Sequence, residues 1–245
     1  MLGSPIVIKR GSKTEAEKPF WISYADLMTA LMVLFLVVMS VALLAVTKTI
    51  SEIERQKAER DQEIAKLLDE VEKAADRYPG VKVDREQNII DFGDKAHFDM
   101  GKSTLNAEQA RLLRAFVPEV LAIARDELGR KWLKRIVVEG FASPEGDYLY
   151  NLNLSLQRSQ RVLCVLMAVP YPDERAMNQA ELEQVRDLFL VGGYSFNAAK
   201  CNAVTASCDE SRRIELRLEF LSIGESRPSK AAAPPGNFGR CALGG

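Results

Sequence analysis

From Leu27 to Val46 the chain runs for twenty residues without a charge, and the most polar side chains in that run are Thr29 and Ser40. In an α-helix, at about 1.5 Å per residue, such a run matches the roughly 30 Å hydrocarbon core of a bilayer. Inside that core backbone N–H and C=O groups find no water, so a single segment crosses only as a helix. The pattern therefore predicts a transmembrane helix over 20–47. A cleavable signal sequence fits less well, because its apolar core is about 7–15 residues long. No small-x-small cleavage site precedes Lys48 either.

The flanking charges predict the orientation. Lys9, Arg10, Lys13 and Lys18 precede the span, diluted by Glu15 and Glu17. Basic residues stay on the cytoplasmic side, so residues 1–19 read as a short cytoplasmic tail and everything after Thr47 as extracytoplasmic. The expected location is a bacterial inner membrane, crossed once, with the C-terminal part in the periplasm. The four cysteines are compatible with that oxidising side. Cys201 and Cys208, seven apart in a polar loop, are spaced to close a small disulfide, whereas Cys164, within an apolar helical pattern, reads as a buried thiol. Overall charge, 33 Lys+Arg against 34 Asp+Glu, gives no support to nucleic-acid binding.

Residues 48–80 contain no helix breaker before Pro79-Gly80 and are densely charged. Ile50, Ile53, Lys57, Arg60, Ile64, Leu67, Val71, Ala74 and Tyr78 follow alternating spacings of three and four. That is a heptad seam with two polar layers, readable as a parallel coiled-coil dimer or as a single solvated connector helix. From Val81 to Ile223, short β-rich runs alternate with amphipathic helices, which predicts one α/β domain. Strands are expected at 87–92, 135–142 and 212–220, and the apolar stretch 188–196 lies before the last of them. Helices are expected at 106–128, capped by Asn106, at 151–167, and around 179–186. Residues 224–245, rich in Pro, Gly and Ala, are expected to lack order.

One carboxylate interrupts the front of the apolar segment, in "FWISYADLMTALMVLFLVVM". Ser23-Tyr24-Ala25-Asp26 fits an S-x-x-D capping pattern, so Asp26 would serve a helix N-terminus if the helix began there. On a helical projection, however, Asp26 shares its face with Thr29, Ala30, Val33, Val37 and Ser40, small or β-branched residues that suit close protein packing in a membrane. A carboxylate on such a face reads as part of an ion path. These residues resemble the MotB-type stator motif, in which Tyr-Ala-Asp precedes Met-Thr-Ala. The resemblance covers about twenty residues around Trp21, Tyr24, Ala25, Asp26, Met28, Thr29 and Ala30. It implies that Asp26 carries the ion of a rotary motor, with Tyr24, Thr29 and Ala30 beside the path. It also implies two such chains within a ring of a MotA-like membrane partner. The ion would be a proton or sodium, and resemblance favours the proton.

Farther along, "VEGFASPEGDYLYNLNLSLQRSQRV" resembles the OmpA-like peptidoglycan-binding signature. Gly140, Gly146, Tyr150, Asn151, Leu154, Ser155 and Arg158 match it, as do Arg212 and Arg213 in "SRRIEL". The resemblance spans roughly 86–220 and implies a site for the peptide stem formed by Ser143, Glu145, Tyr150, Asn151, Leu152 and Arg158. Arg158 can grip a carboxylate, and the start of the helix at Asn151 can offer backbone N–H groups. The family's early Asp is replaced by Ser143, which removes one anionic partner for the ligand's ammonium; Glu145 stands two residues on as a substitute.

Enzymatic readings find nothing to build on. His97, the one histidine, has no metal-ligand spacing around it, no phosphate loop or nucleophile motif occurs, and no cofactor is expected. Within the motor class, the short connector and the inserted segment between Pro170 and Cys208 resemble the B subunit of Zorya anti-phage defence motors. The alternatives are a flagellar-type stator subunit and a passive membrane-to-peptidoglycan tether without ion flow. In the motor reading the connector seam pairs two chains and gates the ion path until wall binding orders the domain.

Overall fold

A computed structural model describes residues 18–203, 207–227, 236 and 238–243, with side chains from Trp21 on. Lys9, Arg10 and Lys13 of the expected cytoplasmic tail lie outside the described residues. The chain divides into two units, up to Lys57 and from Ala58 on; helix α1 (Lys18–Ala75) contributes to both.

In the first unit every residue from 21 to 59 that belongs to it is exposed, including the whole apolar run. Among the described residues this is the one helix long and apolar enough to cross a membrane. Its few hydroxyls turn inward to the backbone: Thr29 donates to the Ala25 carbonyl, Ser40 to Leu36 at 2.7 Å and Thr47 to Leu43 at 2.6 Å. These three hydroxyls therefore need no partner in a bilayer.

The second unit is a five-stranded sheet with helices packed on it. Strands β1 (Lys82–Asp84), β2 (Ile89–Asp91), β3 (Leu133–Gly140), β4 (Phe189–Gly193) and β5 (Ile214–Phe220) lie in the order β1-β2-β5-β3-β4. Only the β3–β4 pair is parallel, as expected of two strands joined by a helical crossover. Strand β1 escaped the sequence reading because three residues carry too little alternation to register.

Helix α2 (Ala107–Arg125) starts with a capping box in which Asn106 and Gln109 each accept from the other's backbone N–H, at 2.9 and 2.8 Å. Helix α3 (Glu127–Trp132) leads into β3. Helix α4 (Tyr148–Met167) crosses β3 at Gly140, where a Cβ would lie 2.0 Å from the Ser155 carbonyl oxygen, so only glycine permits that approach. Helix α5 (Gln179–Leu188) carries a second capping box, from Asn178 and Glu181.

The connector differs from the expected free seam. Ile64, Leu67, Leu68, Val71, Ala74 and Ala75 are buried in one cluster with Phe92, Phe116 and Leu121, so this half of the seam packs inside its own chain. The polar layer at Arg60 is used as well: its Nε donates to the Leu221 carbonyl at 2.8 Å. Glu63 accepts from Lys131 Nζ and Trp132 Nε1, both at 2.5 Å, and Tyr78 donates to Glu119 at 2.6 Å. A heptad marks an apolar stripe without saying what covers it. Ile50 and Ile53 of the same stripe are half exposed.

The cysteines are also arranged differently from the expectation for Cys164, which is bonded to Cys241; Cys201 is bonded to Cys208. The described part of the 224–245 tail is accordingly tied down. Arg227 donates to the carbonyls of Leu133 at 2.8 Å and Gly129 at 2.6 Å, and Cys241 is bonded covalently. Residues 228–235, 237 and 244–245 lie outside the described residues.

Candidate functional site

Two places carry the chemistry, one in each unit. In the first, α1 begins at Lys18, so Asp26 lies eight residues, about two turns, inside the helix rather than at its start. The capping reading of Ser23 to Asp26 fails for that reason: the orphan N–H groups belong to a helix's first turn, and described helix already precedes Asp26 by two turns. Asp26, Thr29 and Ala30 follow i, i+3, i+4 spacing on one exposed face, and Tyr24, 48% exposed, lies two residues earlier. Thr29 spends its proton on the Ala25 carbonyl, so towards a neighbour it offers only an acceptor.

In the second unit, three loops meet at the C-terminal end of β3. They are 98–103, 141–147 and the segment leading to Arg212, and α4 rises between them. Arg158, 0% exposed, lies at their centre. Its Nη1 donates to the Phe141 carbonyl at 2.7 Å, Nε to Lys102 at 3.0 Å and Nη2 to Asp99 at 3.2 Å. The Phe98 ring lies 5.0 Å away beneath the guanidinium. Among the described residues no carboxylate pairs with it. Burial, followed by the nearby Arg212 cation, pushes the Arg158 guanidinium down to about 10, with Tyr150 acting the other way. A buried cation held by carbonyl dipoles and a ring face, with no carboxylate paired to it, leaves an electrostatic deficit that an anion relieves.

Around it the polar groups are nearer solvent. Ser143 is buried, and its hydroxyl bond to Glu145 holds that carboxyl below the usual range, helped by the Glu145 amide and the Arg212 charge. Arg212 donates to the Phe98 carbonyl at 3.0 Å and pairs with Asp209 at 2.7 Å. Tyr150 is 55% exposed, with its hydroxyl beside Gly101. The Leu152 carbonyl is taken by the Ser155 hydroxyl at 2.8 Å, so Leu152 enters the site as scaffold.

Asn151 does not begin the helix. Helix α4 starts at Tyr148 after Asp147, and buried Asn151 instead donates from Nδ2 to the Glu145 carbonyl at 2.9 Å, bracing the 141–147 loop. The free N–H groups of the first turn therefore belong to Tyr148, Leu149 and Tyr150.

The fold thus gathers Ser143, Glu145, Tyr150, Asn151 and Arg158 at one place and adds three groups the site reading passed over. Asp99 and Lys102, paired at 2.9 Å, and Arg212 come from segments more than fifty residues away on either side of Arg158. Arg212 was legible only through the paired arginines of the motif; the 99–102 loop carried no signal. Arg213 is used internally, paired with Glu215 at 2.6 Å and 4.2 Å from the Phe141 ring. Among the described residues no group of His, Cys, Asp and Glu is arranged to hold a metal.

Known proteins similar to this chain cover both units. Residues 8–53 match the family described as membrane MotB of the proton-channel complex MotA/MotB. The Zorya protein ZorB of Escherichia coli O139:H28 is 45% identical over 228 residues, covering 93% of this chain and 91% of that one. Solved structures similar to this chain include the OmpA-like domain of FopA1 from Francisella tularensis, at 16% identity and a TM-score of 0.36, covering 58% of this chain and 82% of that one. The periplasmic domain of Helicobacter pylori MotB is similar at 12% identity and a TM-score of 0.38, covering 57% of this chain and 86% of that one.

Proposed function

The chain belongs to the family of the Zorya protein ZorB, MotB-like single-pass membrane proteins, and from that premise we propose that it is the ion-carrying, wall-anchored stator subunit of an inner-membrane rotary motor acting in anti-phage defence. Its partners in this reading are a ring of a MotA-like subunit, a second copy of itself, and peptidoglycan. The chain performs no covalent chemistry, and the proton, rather than sodium, is its cargo.

The observation that carries the reading is Asp26, a carboxylate two turns inside an apolar helix whose every side is exposed in the isolated chain. Such a residue is tolerated in hydrocarbon only against protein or water, so a partner surface must cover it. Protonation removes the charge penalty and lets the helix face a hydrophobic wall; ionisation returns it to water or a partner dipole. One charge crossing 100 mV supplies about 2.3 kcal/mol, enough to bias such a step. Two disulfides, with no free cysteine among the described residues, support placing the second unit on the oxidising, periplasmic side. The buried, carboxylate-free Arg158 beside Arg212 supports anion capture there, with Glu145 as the acceptor for an ammonium on the same ligand.

The test is phage plating on cells carrying the intact defence operon. Asp26→Asn keeps shape but not charge, and is expected to abolish protection while the protein still reaches the membrane. Full protection by Asp26→Asn leaves only a tether. Arg158→Ala is expected to weaken retention of the purified chain on peptidoglycan sacculi; equal retention removes Arg158 from the wall site.

A further inference from the structure

Helix α4 carries two arginines one turn apart on the side facing the 98–103 loop. Arg158 takes the carbonyls of Asp99 and Lys102, as above. Arg161 takes the next one: its Nε donates to the Ser103 carbonyl at 3.3 Å. The same guanidinium reaches the other way, with Nη2 donating to the Leu243 carbonyl at 3.1 Å. One turn farther along the helix, Cys164 is bonded to Cys241, two residues before Leu243. The 238–242 segment thereby lies along the C-terminal half of α4 and encloses with it a cavity of about 420 Å3, bounded by Leu163, Met167 and Phe238.

The loop that these arginines hold is anchored at its start by Phe98, buried in the core and bonded through its backbone to Arg212, and at its end by the Ser103 hydroxyl, which donates to Gln157 Oε1 of α4 at 3.5 Å. Between those anchors Gly101 sits at φ +67°, and the bonds within 99–102 are the Lys102 amide to the Asp99 carbonyl, at 3.1 Å, and the exposed Lys102–Asp99 ion pair. An exposed pair of that kind adds little rigidity. The 99–103 stretch is therefore held from α4, by Arg158, Gln157 and Arg161, and Arg161's orientation is shared with the tail.

We infer that residues 238–243, fastened through Cys164–Cys241 and Arg161, form a strap that positions the 99–103 loop of the anion site, with Arg161 as the positioning residue. The inference rests on the wall-binding reading only for what the loop contacts; the coupling of strap to loop stands on the geometry. An arginine bonded at both ends has one preferred placement, whereas one released at its tail end samples others and holds Ser103 less often.

The experiment uses the full-length chain in detergent micelles, with hydrogen exchange read by peptide and retention read on purified sacculi. Cys241→Ser and Arg161→Ala are expected to speed exchange at Gly101 and Lys102, leave β3 and β5 unchanged, and weaken retention about tenfold, the equivalent of one charge-assisted hydrogen bond. Arg161→Lys, which keeps a donor towards Ser103, falls between them and wild type. Unchanged exchange at 99–103 in Cys241→Ser, with exchange at 238–243 raised, overturns the strap. Exchange raised equally through β3 and β5 overturns it too, because the tail is then a staple for the whole domain. Should wild type itself fail to stay on sacculi, the wall reading falls, while the loop exchange still decides the strap.

Discussion

Truncating Leu67 tests whether the connector belongs to its own domain or to a second chain. Leu67 is 2% exposed, in a cluster with Val71, Phe92 and Phe116. Leu→Ala at such a position removes the transfer free energy of the lost methyl groups and leaves a cavity, for a combined cost of about 2–5 kcal/mol. For a unit of this size each kcal/mol lowers the melting temperature by about 2–4 °C, so a mid-range loss of about 3 kcal/mol predicts a fall of about 6–12 °C. Ile53, 56% exposed in the same helix, provides the control, and Ile53→Ala should move the transition by about 0.5 kcal/mol or less. The assay is thermal unfolding of the full-length chain in micelles, at several protein concentrations. A shift independent of concentration is expected, since the partner surface is intramolecular. Cysteine at Leu67 should give no disulfide between chains, whereas cysteine at Ile53 is available for one. Should Leu67→Ala melt with wild type, and cysteine at Leu67 join two chains, the intramolecular packing is refuted and the paired seam returns.

Two further outcomes follow from particular contacts. Gly140→Ala places a methyl 2.0 Å from the Ser155 carbonyl oxygen and 3.2 Å from the Ser159 nitrogen, both α4 backbone, so the helix must lift off β3. Loss of soluble, cooperatively melting protein in that variant is expected, and a wild-type melting curve would falsify the close helix–strand approach. The Glu63 carboxyl is held below its ordinary value, first by its bond to Lys131 and then by that to Trp132. A carboxyl with a depressed folded value stabilises above its unfolded value, about 4.3 for glutamate, and loses that contribution as pH falls through the folded value. Melting scans from pH 6 down to about 3 should therefore fall more steeply for wild type than for Glu63→Gln; parallel curves would show that the latch contributes nothing.

Much of the molecule is legible in one sequence because the physics behind it is local. Twenty uncharged residues specify a spanning helix whatever surrounds them, since the alternative leaves backbone groups unbonded in hydrocarbon. Asn106 announces the start of α2 as a cap whose bond closes within four residues, and the 212–220 alternation announces β5. Asp26 was visible as an anomaly for the same reason, a charge where its neighbours allow none. What it faces was not visible, because a helix exposed on every side over this stretch has no contact within its own chain to record it.

Tertiary structure decided the rest, wherever a residue's meaning lies in a partner far along the chain. The stripe Ile64–Leu67–Val71–Ala74 is one periodic pattern, yet it is the sheet and α2 that cover it, and periodicity records only that something must. Cys164 reads as an apolar residue until Cys241 arrives beside it from 77 residues away. What holds Arg158 in place was not legible, because its guanidinium is taken by three carbonyls from two loops, one of them unmarked in sequence. Helix, strand and cap follow from neighbours within a few residues; burial, disulfide pairing and the electrostatics of a site follow from contacts that exist only after the chain has closed on itself.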